Sequence, residues 1–493
     1  MSFCLNAVRQ RFYLDSVALM RYSQQLIALP GVNNAALMIG SPSNKDILQD
    51  AGLLAEAGQA ASANDLIIAV QADDEAAAEA ALAHAQTLLQ QPAAKGQAKS
   101  GQRQPRSLAA ALQQLPQANL ALISVPGEFA AVEARRALRR GLHVMLFSDN
   151  VSLADELSLK QDAQARGLLL MGPDCGTAIL NGAPLAFANV VPRGDIGLIA
   201  ASGTGLQEVS CLIARLGGGV SHGIGVGGRD LKDDIGAIST LMAFDALEQD
   251  LATRHIVLIS KPPGQQVIGR LLERIGRSSK PVTVCFMGAE TLALPSCATQ
   301  ADTLQEAAEQ ALGRKVPEAA VPLPAVGQGR RWLRGLYAGG TLCAEAQAIL
   351  RALPGLQSNV PIPGVASVDN KPAHSLIDLG ADDYTIGRPH PMLDPAIRNL
   401  VLAETLRDTS VAVVLLDVVL GYGAHADPAQ GLVSVIRTAP AERPIIITSV
   451  TGTDADPQGY SRQKNALCEA GVLVANSNAQ AVRWAGRILG HPL

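Results

Sequence analysis

DIGLIAASGTGLQEV, residues 195–209, decides how the rest of the chain is read. A short apolar run ends in Ala-Ser-Gly-Thr-Gly, and the start of a helix follows. Strand, small-residue turn and helix, in that order, is the repeating unit of a parallel α/β sheet. The spacing places Ser202, Gly203, Thr204 and Gly205 from the N-cap to the third helical position. Backbone N–H groups there have no intrahelical acceptors, and the helix dipole favours an anion. The hydroxyls of Ser202 and Thr204 add donors. Taken alone, SGTG reads first as a helix cap and second as a phosphate site.

The same pattern runs outward in both directions. LIIAV, LALISV, HVMLF, IVLIS and VAVVLLDVVL read as buried parallel strands, and strand–helix alternation implies right-handed crossovers. Aromatic residues are only 3% of 493, so the core must be Ala, Leu, Val and Ile. The fold class read from this is α/β, with several doubly wound parallel-sheet domains. The polar, Gln/Lys/Gly-rich segment 91–107 reads as a flexible linker, and Pro/Gly-rich 313–331 as a second linker. The blocks between them are 1–90, an N-terminal α/β domain; 108–191 and 192–312, two doubly wound subdomains; and 332–493, a block that repeats their style.

Composition excludes several classes. Net charge is −4 with no long basic run, which argues against nucleic-acid binding. The seven cysteines are scattered without CxxC pairs, so neither a metal site nor a disulfide framework is expected. No apolar run reaches membrane-span length and the N-terminus lacks a signal-type apolar segment. A cytoplasmic protein with small-molecule substrates is the simplest expectation.

In open parallel sheets ligands bind beyond the carboxyl ends of strands, so the turns there hold the candidate sites. After SGTG comes LGYGAHADP, where Gly421, Gly423 and Ala424 supply backbone donors, His425 lies in the turn, and Asp427 caps the helix that Pro428 opens. GIGVGGRDL carries Arg229 and Asp230 in a Gly-rich turn. YTIGRPHPMLDP carries Arg388 and His390 in a loop stiffened by proline, which suits a positioned side chain or a plain turn equally. Cys175, in MGPDCGTAI, reads as a small packed residue before it reads as a nucleophile. Neither GxGxxG with a partner acid nor GxxxxGK[ST] occurs, so neither NAD nor a P-loop nucleotide is inferred.

These motifs carry a family resemblance. From about residue 119 to 312 the chain resembles the α subunit of succinyl-CoA synthetase: NLALISVPGEFAAVEARRALRRGLHVMLFSDNV, MGPDCGTAI, GDIGLIAASGTGLQEV, GIGVGGRDL and KPVTVCF follow that family's order. Residues 332–488 are similar to the carboxyl-terminal domain of its β subunit, through GLYAGGTLCAEA, SLIDLGADDYTIG and VAVVLLDVVLGYGAHADP. Such a fusion resembles the FdrA family over nearly the whole length.

The resemblance implies a Rossmann-like CoA-binding-type domain over 108–191 and flavodoxin-like domains of the synthetase type over 192–312 and 332–493. It implies possible CoA binding at Val125, Pro126, Gly127, Ser148, Asp149 and Asn150. It also implies a phosphate pocket with two walls, Ser202–Gly205 on one side and Gly421–Asp427 on the other. The synthetases phosphorylate a histidine after the KPVV strand; here no histidine occurs between His255 and His374, and no block remains for an ATP-grasp domain. The phosphate is then expected to arrive on the substrate, as an acyl or carbamoyl phosphate. The FdrA likeness implies oxamate carbamoyltransferase activity in allantoin catabolism, with companion subunits and a homo-oligomer. In that reading His425 or His390 protonates or polarises the moving group, and Arg388, or Arg229 with Asp230, holds substrate. The alternatives are an acyl-CoA synthetase component that binds CoA, and a non-catalytic scaffold.

Overall fold

The Ser202 turn stands where the sequence grammar puts it. In a computed structural model of the chain, Ser202 is extended (φ −151°, ψ 128°), its Oγ accepts the Gly205 N–H at 3.1 Å, and the helix Gly203–Arg215 follows the strand Arg193–Ala200. The structure describes residues 3–12, 14, 16–90, 105–318, 321–369, 372–385 and 389–491. It forms two units: residues 1–117 with 382–389, and residues 118–381 with 390–493.

The first unit departs from the parallel expectation. Its strands Phe3–Arg9, Val32–Ile39 and Leu66–Ala72 form one sheet in which the last lies between the other two and is antiparallel to both. Alternating strands and helices also describe a split βαβ unit, where a third strand slots between the first pair. Period-2 burial holds here. Leu66, Ile68 and Val70 join Leu19, Leu26, Ala78 and Ala81 on one face, while Ile67 and Ala69 join Leu48 and Leu53 on the other. Most of the expected linker, residues 91–104, lies outside the described residues.

The second unit contains three sheets. Leu120–Ile123, His143–Leu146 and Leu170–Met171 pair in parallel, with the helices Gly127–Leu138 and Leu153–Ala165 between them in sequence. The next sheet runs, edge to edge, Ala298–Gln300, Val282–Phe286, His255–Ser260, Arg193–Ala200, Val220–Gly225, Thr177–Leu180 and Ala183–Ala186. Five of its strands are parallel in the 2-1-3-4-5 order of a flavodoxin-like sheet; the last two form an antiparallel hairpin on the Val220 edge. That hairpin moves the subdomain division: the boundary expected at 191 falls before Thr177, because 177–186 pairs with the second sheet.

The third sheet is wholly parallel: Ala366–Ser367, Leu356–Ser358, His374–Asp378, Trp332–Tyr337, Val411–Val419, Ile445–Thr451 and Leu473–Ala475. Its first strand in sequence, Trp332–Tyr337, lies centrally and feeds the helix Gly340–Ile349. Chain order reverses at this strand, as it does at Arg193–Ala200 in the sheet before, so each sheet's crevice opens beside the helix that follows. One apolar cluster spans both sheets, joining Leu198, Leu206 and Val209 to Tyr337, Leu342, Val413, Leu415 and Ile447. The linker expected at 313–331 is partly docked. Val316 is buried, its N–H donates to Glu309, and the Pro317 carbonyl accepts from Asn476 and Gln480.

Candidate active site

The Gly203 helix meets the Gly340 helix start to start. Ser202 Oγ and Thr341 Oγ1 share a hydrogen bond. A carbon added at Gly205 would lie 3.2 Å from Thr341 Cγ2, and one at Gly339 would lie 3.1 Å from Thr204 Cγ2. The positive ends of two helix dipoles therefore meet at one spot; the Gly205 N–H there is held by Ser202 Oγ and the Gly339 N–H by Asp417. The family resemblance pairs Ser202–Gly205 with Gly421–Asp427; in the structure the turn that touches Ser202–Gly205 is Gly339–Gly340–Thr341, and the Gly421 turn lies to one side of it. YAGGTL is also strand, glycine turn and helix start.

Below the Gly340 helix lie two carboxylates that the sequence reading passed over. Asp417 is buried inside the strand Val411–Val419, where every residue is buried. Its Oδ1 accepts the Ala338 N–H at 2.8 Å, and its Oδ2 the Gly339 N–H at 2.6 Å. Arg398 is equally buried; its Nη1 reaches Asp417 Oδ1 at 3.2 Å and the Asp417 carbonyl oxygen at 2.7 Å. Burial raises the Asp417 pKa, and the Arg398 guanidinium opposes that rise. Asp378 closes the next strand and accepts the Gly380 N–H at 2.9 Å; a carbon on Gly340 would strike its Oδ2 at 2.6 Å. Gly340 is therefore small because a carboxylate sits against it.

The turn at 421–427 lies beside this pair of helix starts. Gln207, in the Gly203 helix, donates to the Leu420 carbonyl and to Asn189 Oδ1. Tyr422 donates its N–H to Ala188, and Gly421 and Gly423 adopt positive φ (112° and 80°) against Ala188 and Phe187. His425 and His390 are brought near one another by Met392, whose carbonyl accepts the His425 N–H and whose N–H donates to His390 Nδ1 at 3.2 Å. The Asp427 N–H donates to His425 Nδ1 at 3.1 Å. A backbone N–H can only donate, so in each neutral ring Nδ1 is the acceptor and Nε2 carries the proton. Burial, helped by Arg398, holds the His390 pKa down to about 4, so that ring is neutral at ordinary pH. Its Nε2 faces Gly380, where an added carbon would approach it to 2.5 Å.

Other expected site residues are otherwise engaged. Asp230 is fully buried; it pairs with Lys160 at 2.6 Å and accepts from Ser239 and Thr240. Arg229 pairs with Glu156 at 2.8 Å and donates to the Val151 carbonyl. Asp230 thus belongs to a buried ion network with Lys160 and Glu156, which the partly exposed Arg229 joins from its edge. Arg388 lies outside the described residues. Cys175 is buried against Thr177 and Gly225 carbonyls and its thiol is pushed up to about 12, as a packed residue's would be.

The six residues expected to contact CoA do come together. Ser148 Oγ donates to the Val125 carbonyl, and a carbon on Gly127 would lie 2.3 Å from the Asp149 carbonyl oxygen. The helix Gly127–Leu138 starts there with no side-chain cap, and its Phe129 and Ala130 N–H groups donate to the Pro126 carbonyl. Among the described residues no three His, Cys, Asp or Glu side chains gather as a metal-ligand group, and no helix is long and apolar enough to cross a membrane.

Residues 336–488 match the CoA-ligase family, and residues 1–105 match the family described as AllF, heavy metal-associated domain. The uncharacterized protein YahF of Escherichia coli is 41% identical over 495 residues, covering 96% of each chain. Subunit alpha 2 of the ADP-forming succinate–CoA ligase of Archaeoglobus fulgidus is 27% identical over 171 residues, 34% of this chain and 57% of that one. Subunit SauD of the ADP-forming sulfoacetate-CoA ligase of Bilophila wadsworthia is 26% identical over 183 residues, 35% of this chain and 60% of that one.

Proposed function

The chain belongs to the family of YahF, a succinyl-CoA-synthetase-like family with an AllF-type N-terminal domain, and from that premise we propose that it handles an acyl or carbamoyl phosphate. The phosphate would sit over the joint start of the Gly203 and Gly340 helices, where Ser202 and Thr341 touch. The reaction best suited to the site is transfer of the carbamoyl or acyl group away from that phosphate, of the FdrA-linked oxamate carbamoyltransferase type. The observation that carries this reading is the meeting of the two helix starts at Ser202 and Thr341.

In such a transfer the acceptor atom attacks the carbonyl carbon and the C–O bond to phosphate breaks. The leaving phosphate gains negative charge as the acceptor nitrogen sheds its proton. Two converging helix starts favour that charge most where it is greatest, which is the condition for catalysis rather than mere binding. The histidines fit the same chemistry. Rings whose Nδ1 accepts a backbone N–H present an Nε2–H donor. A donor polarises a carbonyl; accepting a phosphoryl group at Nε2 needs the opposite tautomer. His390 and His425 are therefore read as polarising groups, with phosphate delivered on the substrate.

A second reading is an acyl-CoA ligase component, favoured by the uncapped helix at Gly127 and the residues around it. CoA would lie against Val125–Gly127 and Ser148–Asn150 and supply the thiol that accepts the acyl group. Purified protein, alone and with its companion gene products, should release phosphate from carbamoyl phosphate when oxamate is added. Release that requires CoA instead of oxamate, with acyl-CoA as product, favours the ligase reading. No release under either condition, with the protein folded, removes both.

A further inference from the structure

Each of the two facing helices carries a glutamate at its sixth position, Glu208 in the run from 203 and Glu345 in the run from 340. Both are buried, and both reach the same residue, Asn478, at the start of the helix Asn478–Ile488. Glu345 Oε2 accepts from Asn478 Nδ2 at 2.7 Å, and its Oε1 accepts the Leu304 N–H at 2.6 Å. Glu208 accepts from the Asn478 N–H and from Thr451 Oγ1. Asn478 Nδ2 also donates to the Leu342 carbonyl of the Gly340 helix. One fully buried residue thus ties both helices, by its backbone N–H to Glu208 and by its side-chain amide to Leu342 and Glu345.

The charges in this bridge do not balance if both acids are ionised. Among the described residues neither carboxylate has a cation within ion-pair distance. Arg215, on the Gly203 helix, is held by the Val450 and Asn476 carbonyls, and Arg483, on the Asn478 helix, is paired with Glu306. The remaining titratable groups around the bridge, Cys285 and Tyr337 from neighbouring strands and Asp417, add no positive charge. Arg215, bonded only to neutral carbonyls, keeps a charge that favours ionised Glu208; a second carboxylate at Glu345 is then uncompensated in a dry interior and far costlier than a neutral acid. A neutral acid needs an acceptor for its O–H, and Asn478 Oδ1 is buried with no partner. Burial pushes Glu345 up to about 7 and raises Glu208 as well.

We propose that Glu345 is held as the neutral acid and is a positioning residue: through Asn478 it keys the Gly340 helix to the Gly203 helix, so that their starts stay together. Loss of its proton places two like charges on the bridge and separates the helix starts. The effect on catalysis rests on the phosphate reading above; the proton itself does not.

Glu345→Gln tests it, because glutamine keeps the shape and cannot ionise. The infrared carbonyl band of a protonated carboxylic acid should be present at about pH 6 and absent from the Glu345→Gln spectrum. Transfer from carbamoyl phosphate by the wild-type chain, with its companions, should fall about tenfold per pH unit above about pH 7, the signature of one proton. Glu345→Gln should hold its low-pH rate across that range, while Glu345→Ala loses it at every pH. If the band persists in Glu345→Gln and disappears in Glu208→Gln, the assignment to Glu345 is overturned. It is overturned equally if Glu345→Gln and wild type share one pH profile. A band that behaves as expected in a protein with no phosphate-dependent activity leaves the proton in place and refutes the phosphate reading alone.

Discussion

Replacing Arg398 by methionine isolates the pair beneath the Gly340 helix. Methionine keeps much of the length and apolar contact of the arginine stem and removes only the guanidinium. Asp417, wholly buried, keeps the Ala338 and Gly339 N–H donors but loses its only ion-pair partner among the described residues. Breaking one side of a buried ion pair costs about 3–5 kcal/mol, because the other charge is left uncompensated. That is a large part of the roughly 5–15 kcal/mol that holds a domain together. Urea unfolding followed by tryptophan fluorescence reads it directly. The chain's two tryptophans, Trp332 and Trp484, lie in the third sheet and in the helix packed with it, so the signal reports this unit. Arg398→Met with Asp417→Leu should lose less than the two single changes added together, by about 0.5–3 kcal/mol. His390 should also titrate higher in Arg398→Met, since one of the two influences that depress it is gone. A loss under about 1 kcal/mol, or strict additivity, would refute the view that this pair organises the helix start.

Three further outcomes follow from the same geometry. Gly339→Ala drives a methyl between Asp417 Oδ2 at 3.0 Å and Thr204 Cγ2 at 3.1 Å; stability should drop by about 1–3 kcal/mol, and inorganic phosphate binding, read by calorimetry, should drop with it. Glu345 holds its proton more tightly folded (about 7) than at its ordinary value of 4.5, so it destabilises the fold as pH rises from about 4.5 to about 7, by roughly 1.4 kcal/mol per pH unit. Urea midpoints of Glu345→Gln across that range should lack this component. His390 has the opposite sign. Its folded value of about 4 lies below the ordinary 6.5, so its contribution is complete above about 6.5 and is lost as pH falls toward 4. His390→Gln should remove that acid-side loss, and the wild-type chain should show little net slope where the two windows overlap.

The fold was legible where local grammar suffices. Strand, glycine turn and helix start can be read within fifteen residues, and the caps at Ser202 and Asp427 lie where spacing puts them. Strand direction in the N-terminal unit was not legible, because a split βαβ unit and a parallel one share the same alternation. Arg229 and Asp230 misled for a related reason. Adjacent opposite charges in a Gly-rich turn resemble a ligand clamp, but their partners, Glu156 and Lys160, stand one helical turn apart some seventy residues earlier. Asp417 went unread although the signal was there: a single acid inside VVLLDVV must either find partners or not be buried, and its partners are the Ala338 and Gly339 N–H groups before the Gly340 helix. The choice between Gly339–Thr341 and Gly421–Ala424 needed the sheet order, since only the former follows the strand at which chain order reverses.

The most direct test of the phosphate site is titration calorimetry of carbamoyl phosphate into the wild-type chain and into Gly203→Pro. Proline suits the first helical position and removes the Gly203 N–H from this helix start, while its Cβ meets Thr177 Oγ1 at 2.9 Å. The account predicts at least about a tenfold loss of affinity, roughly 1.4 kcal/mol, in a protein whose tryptophan-monitored unfolding stays cooperative. Equal affinity in a folded Gly203→Pro protein would contradict it.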